Sequence, residues 1–368
     1  MEAPFVDLQK IRKALSADGS ALGISPPFRQ IRPQFDIHLF DSLPSTSTQL
    51  WNMLGTGYAA GTVAIARKQT AGRGQHGRTW QSDPGGLYLS LAIAPDWPAS
   101  SSAQLTCLSA WGIATAFNNL GIPLQVKWPN DLFFKGKKLG GILTETKLSY
   151  ARSEREETAG ASDQQLSIPP RIKQAVIGVG INWHNSVPET AITLAKILNG
   201  RTYTNAQNKI NCLEMLIAIV LRGIMQGCFF HQQVGSQVFM KAYQKLLTQV
   251  GNVVSINYGM TPSADSDIGL NIGLVERSRA QSVSTKSIGT RLQNSIKQAA
   301  NRPTQLAAKM AAVKLARCSG KVIGISEEGY LQVALERNRH TSDKTVVNYT
   351  ADPSDRILLL KPGEVHIS

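Results

Sequence analysis

The apolar and polar positions of this 368-residue chain change period several times, and each change marks an element. A short helix is predicted at Val6 to Leu15, followed by a Gly/Ser/Pro-rich stretch ending at Pro33. Phe35 to Phe40 and Gly61 to Arg67 read as strands, and Thr46-x-x-Gln49 between them resembles a capping box opening a helix through Leu54. Ser101 to Leu120 carries a helical pattern ended by Gly121, and Leu124 to Lys127 is a strand stopped by Pro129. Phe133 to Leu139 reads as a hairpin tip leading into a strand from Gly140 to Lys147, and Ala175 to Trp183 as a further strand. Ile210, Leu213, Ile217, Val220, Leu221 and Ile224 follow helical spacing and form one buried face, with another helix at Phe239 to Gln249. Beyond Gly251 short strands take over, at Val253 to Asn257, Lys321 to Ile325, Tyr330 to Leu335 and Arg356 to Lys361. Strands with few helices in the first part predict an α+β fold, and the shift near Gly251 predicts a second, small β domain.

Two stretches interrupt this order. Residues from about Ala151 to Pro170 are polar, rich in Ser, Glu and Gln, and closed by Pro-Pro, which reads as a mobile loop. The segment from Gly259 to Ser319 holds nine Lys/Arg against three Asp/Glu and reads as a disordered basic insertion. The domain expectation is therefore an N-terminal extension (1–33), a catalytic domain (34–248) with its insertion at about 151–170, and a C-terminal domain (249–368) interrupted at about 259–319.

One segment demands chemistry. Gly72-Arg73-Gly74-Gln75-His76-Gly77-Arg78-Thr79-Trp80 satisfies G-x-G-x-x-G, yet turn signals and the strand Leu87-Tyr88-Leu89-Ser90-Leu91 follow it. A dinucleotide-binding turn needs a helix there, so the match is rejected. Glycines and arginines in a loop can instead close over an anion, and an ordinary solvated hairpin is the competing reading. In Ile177-Gly178-Val179-Gly180-Ile181-Asn182 the period of two puts Gly178, Gly180 and Asn182 on one face and three β-branched residues on the other. A bare strand face marks close approach of a ligand or another backbone; tight sheet packing is the alternative. Gly140-Gly141 makes the same argument more weakly. Lys127, at the end of an apolar strand and followed by Trp128-Pro129-Asn130-Asp131, is by itself a solvated lysine before a turn. Together these are the parts needed to hold a carboxylate against a nucleotide phosphate.

The net charge of +14 points to an anionic partner, but much of the excess lies in the basic insertion. Four cysteines show no metal or disulfide spacing, which fits a reducing cytoplasm. The most apolar helical stretch, Ile210 to Phe230, carries Glu214 and Arg222 and is not expected to span a membrane.

The nonamer at Gly72, then Leu87-Tyr88-Leu89-Ser90, Lys127-Trp128-Pro129-Asn130-Asp131, Gly140-Gly141-Ile142-Leu143-Thr144-Glu145 and Gly178-Val179-Gly180-Ile181-Asn182 occur in the order seen in biotin-protein ligases. From about Phe35 to the C-terminus, excluding both insertions, the chain resembles a biotin–[acetyl-CoA-carboxylase] ligase of the monofunctional type, without an N-terminal DNA-binding domain. The resemblance implies a central mixed sheet with helices, related to class II aminoacyl-tRNA synthetases, and a small C-terminal SH3-like β-barrel. It implies biotin and MgATP as substrates and biotin carboxyl carrier protein of acetyl-CoA carboxylase as acceptor, in a monomer or homodimer with no membrane and no nucleic-acid role. No metal ligand is assigned.

By motif position, Lys127, Arg73 and Arg78 are the implied catalytic residues. Biotin falls to Ser45, Thr46, Ser47, Gln69, Gly72, Arg73, Gly74, Gln75, Trp80, Lys127, Gly140 and Gly141. The nucleotide falls to Arg73, Arg78, Lys127, Asn130, Gly178, Gly180 and Asn182, with the loop from Trp183 to Thr190 a weaker candidate for covering adenine. Trp80 lines the pocket, anchors the loop or is simply core. Two positions depart from the family: Ser47 stands where Asn is often found, and Gln75 where Arg is frequent. A lipoate-protein ligase or octanoyltransferase of the same fold is the rival enzyme. A nucleic-acid-binding regulator is the rival from another class, weakened because the roughly 33 residues before the catalytic domain are too few for a winged helix.

Overall fold

A computed structural model of the chain describes residues 5–149, 169–199, 203, 206, 209–258, 317–335, 357–361 and 365–367. The polar stretch from Ala151 to Pro170, except its last two residues, and the basic insertion up to residue 316 lie outside the described residues. The chain divides into two units, one of Met1–Val250 with Gly324–Leu331, the other of Gly251–Ile323 with Gln332–Ser368.

The first unit is built on a mixed sheet. Its strands are β1 (Asp36–Leu43), β2 (Thr62–Gln69), β3 (Leu87–Ile93), β4 (Trp97–Pro98), β5 (Gln125–Lys127), β6 (Asp131–Phe134), β7 (Lys137–Ser149) and β8 (Arg171–Ile181), in the order β1-β2-β3-β8-β7-β6-β5 with β4 on β8. β1 and β2 are parallel, joined by helix α2 (Thr46–Gly55), and every other pair of neighbours in this sheet is antiparallel. α2 buries Leu50 and Met53 against Ala64, Ala92 and Val176. That covers one end of this sheet face and leaves the glycine end of β7 and β8 to other side chains.

On the opposite side lie α3 (Ser102–Asn119) and the long helix α5 (Leu213–Gln244), with a short α4 (Leu194–Leu198) between them in sequence. α3 and α5 meet through glycines. A Cβ on Gly112 would lie 2.0 Å from the Gly223 carbonyl oxygen, and one on Gly227 2.2 Å from that of Leu108. Only glycine lets the two backbones come this close. α5 is long and apolar enough to cross a membrane by length and composition, but most of that surface is buried within the fold. The N-terminal helix α1 (Leu8–Leu15) packs on α5 too, burying Ile11 and Ala14. Arg222, 3% exposed, donates to the carbonyls of Leu15 and Arg29, both at 3.3 Å, and so ties residues 15–29 to α5.

Three sequence expectations shift. The cap of α2 is Ser45, whose hydroxyl accepts from the Thr48 amide; Thr46, read as the first residue of the capping box, is already helical and its hydroxyl points into a buried network instead. The helix predicted from Phe239 to Gln249 is the last part of α5, which breaks at Gly235 (φ 75°) and ends at Gln244. The hairpin tip predicted over Phe133 to Leu139 is only Lys135 and Gly136, both at positive φ, and β6 and β7 run right up to it.

A second sheet holds β9 (Val253–Tyr258), β10 (Arg317–Ile325), β11 (Leu331–Leu335), β12 (Ile357–Leu360) and β13 (Val365–Ile367), in the order β12-β11-β10-β9-β13, and belongs to the second unit except for Gly324, Ile325 and Leu331. Leu331, Val333 and Val322 are fully buried, as alternation in these strands requires.

Candidate active site

The register across the sheet gathers the motifs into one row. Lys127 faces Asp131, Asp131 faces Gly141, Gly141 faces Gly180, and Gly180 faces Tyr88. Directly paired residues share a face, so Lys127 and Asp131 project over the side bared by Gly141 and Gly180. One row along, Gly178 pairs with Ser90 of β3 and Leu143 of β7.

The bare face is occupied by neighbouring side chains at close quarters. A Cβ on Gly180 would fall 2.5 Å from the Trp80 indole, and one on Gly178 would fall 2.7 Å from Ser47 Oγ. Gly141 is near Trp80 and Asp131, at 3.3 Å each. Gly140 serves packing: a Cβ there would meet the Gly180 carbonyl oxygen at 2.7 Å.

A chain of neutral hydrogen bonds runs beside this floor. Ser90 Oγ, fully buried, lies 3.0 Å from Ser47 Oγ and 2.8 Å from Thr46 Oγ1. Gln69 Oε1 accepts from the Thr46 amide at 2.8 Å and from its hydroxyl at 3.2 Å, while Gln69 Nε2 donates to Ser82 Oγ at 2.8 Å. Ser82 in turn donates to the Trp80 carbonyl. Ser45, Thr46, Ser47, Gln69 and Trp80 are thus brought together, and Ser82 and Ser90 belong with them. Sequence reading gave neither a site role: Ser90 entered only as the end of the Leu87-Tyr88-Leu89-Ser90 motif, and Ser82 lies in no motif.

The glycine loop is a small hairpin. Gly74 donates to the Arg78 carbonyl, Trp80 to that of Gly72, and residues Gln75–Gly77 make one 3-10 turn with His76 and Gly77 at positive φ. No α-helix starts between the loop and β3. Gly72 is required sterically: a Cβ would collide with the Trp80 carbonyl (2.3 Å) and Ser82 Oγ (2.5 Å). Arg73 and Arg78 are exposed and Gln75 half-buried. Arg73 pairs with Glu145 and donates to Thr48 Oγ1 at 3.4 Å.

Lys138 is the cation that sequence reading missed. Its Nζ lies 2.7 Å from Asp131 Oδ1 and 5.1 Å from the centre of the Trp80 ring, and its Cε lies 3.5 Å from the position a Gly141 Cβ would take. Three residues before Gly141 on a regular strand, it would face the other way. A bulge between Leu132 and Phe133 pairs Gly140 with Leu132 but Lys138 with Phe133, so Leu139 is the extra residue and Lys138 turns onto the glycine face. Its backbone is also held, donating to the Thr190 carbonyl and accepting from the Ile192 amide. Lys127 makes no ion pair among the described residues.

Asn130 and Asn182 have structural engagements. Asn130 Nδ2 donates to the Ile142 carbonyl at 2.6 Å. Asn182, 5% exposed, donates to the carbonyls of Lys138 and Ile192 and accepts from Asn185, which pins the segment after β8 beside β7. That segment also reaches β3's approach, where the His184 amide donates to the Gly85 carbonyl.

The chain is similar to known proteins in sequence and in fold. Residues 39–154 match the Biotin/lipoate A/B protein ligase family. The chain is 36% identical over 144 residues to the bifunctional ligase/repressor BirA of Bacillus subtilis, covering 39% of this chain and 38% of that protein. It is 30% identical over 132 residues to the biotin–[acetyl-CoA-carboxylase] ligase of Paracoccus denitrificans, covering 35% and 47%. The matches therefore span less than half the length of these two relatives. Among solved structures, the biotin protein ligase from Aquifex aeolicus in complex with biotin and ATP superimposes with a TM-score of 0.51 at 19% identity, over 90% of this chain and 98% of that one. Residues 39–154 are thus similar to the biotin/lipoate A/B protein ligase family, and the chain shares the fold of the Aquifex aeolicus biotin protein ligase.

Proposed function

We propose that the chain is a biotin protein ligase that activates biotin with ATP and transfers it to a lysine of the biotin carboxyl carrier protein of acetyl-CoA carboxylase. The observation that carries this reading is the adjacency of a buried neutral network, Ser47–Ser90–Thr46–Gln69–Ser82, to a glycine floor rimmed by Lys138, Lys127 and Arg73. A ureido ring is uncharged and both donates and accepts, which matches hydroxyls and an amide; the carboxylate at the other end of biotin matches the cations. The names of the relatives, a biotin–[acetyl-CoA-carboxylase] ligase among them, support it.

In the first step a biotin carboxylate oxygen attacks the α-phosphorus of ATP, forming one P–O bond while the bond to pyrophosphate breaks. Two anions are forced together, and Lys138 with Lys127 supplies positive charge where they meet. Arg73 and Arg78 border the phosphate and Gly178 and Gly180 keep the floor flat. In the second step the neutral amine of the carrier lysine attacks the acyl carbon, AMP leaves, and the amine gives up a proton as the amide forms. Trp80 and the loop exclude water from the mixed anhydride between the steps. Magnesium would come with the ATP phosphates; among the described residues no group of three or more His, Cys, Asp or Glu could hold a metal ion.

The five-stranded C-terminal sheet is read as the SH3-like barrel of these ligases, and the enzyme as a cytoplasmic monomer or homodimer. ATP–pyrophosphate exchange tests the proposal. It should require biotin, and Lys138→Ala and Lys127→Ala should each lower it by about 100-fold or more. Exchange that ignores biotin would defeat the reading, and exchange driven by lipoate would replace it with the lipoate one.

A further inference from the structure

Glu145 stands four residues beyond Gly141 on β7, in an unbroken part of the strand, and therefore on the same face as the glycine floor. Its Oε1 accepts from Arg73 Nη2, across 72 residues of sequence, while Arg73 Nη1 reaches Thr48 Oγ1 at the start of α2. Its other oxygen, Oε2, is buried with no hydrogen-bond partner among the described residues. The pairing is thus one-sided. An arginine binds a carboxylate best through two parallel hydrogen bonds, and here only one is made while half the carboxylate goes unsatisfied. Arg73 itself is 45% exposed, so water screens the pair and keeps it weak.

We propose that Glu145 is a positioning residue: in the ligand-free protein it stands in for a ligand anion at Arg73, latching the Gly72–Trp80 hairpin to β7, and it releases Arg73 to the phosphate of the bound adenylate. The proposal rests on the functional reading above. The phosphate of the acyl adenylate offers Arg73 two non-bridging acceptor oxygens, more than Glu145 presents, so the exchange runs toward the ligand. The latch keeps the loop near the floor, beside a Trp80 Nε1 that has no hydrogen-bond partner among the described residues, and it opens readily because the Arg73 half of the pair is exposed to water.

The test compares the full chain with Glu145→Gln, which keeps the shape and removes the charge. Without ligand, amide hydrogen exchange at Arg73 to Thr79 should quicken in the variant, and also in Arg73→Lys, which loses the fork but keeps the carboxylate. Affinity for a non-reactive phosphodiester analogue of biotinyl adenylate should tighten by about two- to fivefold in Glu145→Gln, while that for neutral biotinamide stays unchanged. Unchanged exchange in the ligand-free variants, or weaker binding of the analogue, overturns the latch. If the native protein binds neither compound, the functional reading has failed, and the ligand-free exchange still decides whether Glu145 holds the loop.

Discussion

The Trp80 indole lies 2.5 Å from where a Cβ on Gly180 would stand. A residue in the loop and a residue on the central strand β8, a hundred positions apart, are thus fitted to each other, and the glycine exists because the tryptophan is there.

Gly180→Ala should therefore push Trp80 off the floor, destabilising the protein by about 1–3 kcal/mol through overpacking. Biotin affinity should drop with it. Gly178→Ala, which meets the single Ser47 hydroxyl oxygen at 2.7 Å rather than an indole ring, should cost less. Thermal melts with isothermal titration of biotin check both, and equal effects would refute the assignment of the two glycines to different neighbours.

Ser90 is the joint of the neutral network. Ser90→Ala removes the shared partner of Thr46 and Ser47 and should cost about 1–3 kcal/mol, the penalty for stranding buried polar groups. It should raise the KM for biotin and leave that for ATP near its native value. A rise in the ATP KM alone would place Ser90 elsewhere.

Arg222→Ala should loosen the N-terminal segment. The buried guanidinium caps the Leu15 and Arg29 carbonyls, so stability should fall by about 1–3 kcal/mol, with faster hydrogen exchange in residues 8–29. Unaltered exchange there would show that the segment is held by apolar contacts alone.

His231 supplies a pH dependence. Burial lowers its pKa below the ordinary 6.5, and its neighbours Gln104, Ser236, Trp97 and Phe239 are all uncharged. The unfolded chain therefore takes up this proton at a higher pH than the folded one. The contribution is fully present above pH 6.5 and is lost as pH falls through the lowered folded value. Melting temperature measured from pH 7.5 down to 5 should decline in the native protein more than in His231→Gln, and parallel curves would refute it.

Alternation and glycine spacing were enough to mark the elements and the bare face of β8, because the period of two holds wherever one side of a strand is buried. They also excluded a dinucleotide turn, since Leu87 opens a strand where a helix is required. What spacing could not reveal was anything decided by register. Lys138 is three residues from Gly141, so alternation puts it on the wrong side; one bulge, visible only in the pairing of β6 with β7, puts it in the site. Ser45 rather than Thr46 caps α2 because Gln69 and Ser90, distant in sequence, claim the Thr46 hydroxyl. Asn182, with hydrogen-bonding capacity apparent from its chemistry, spends it on the carbonyls of Lys138 and Ile192. The sequence by itself determined which strands carry glycine and which loop carries arginine. The tertiary structure decided which lysine faces the floor and which carboxylate holds Arg73, because those depend on long-range pairing that local patterns do not encode.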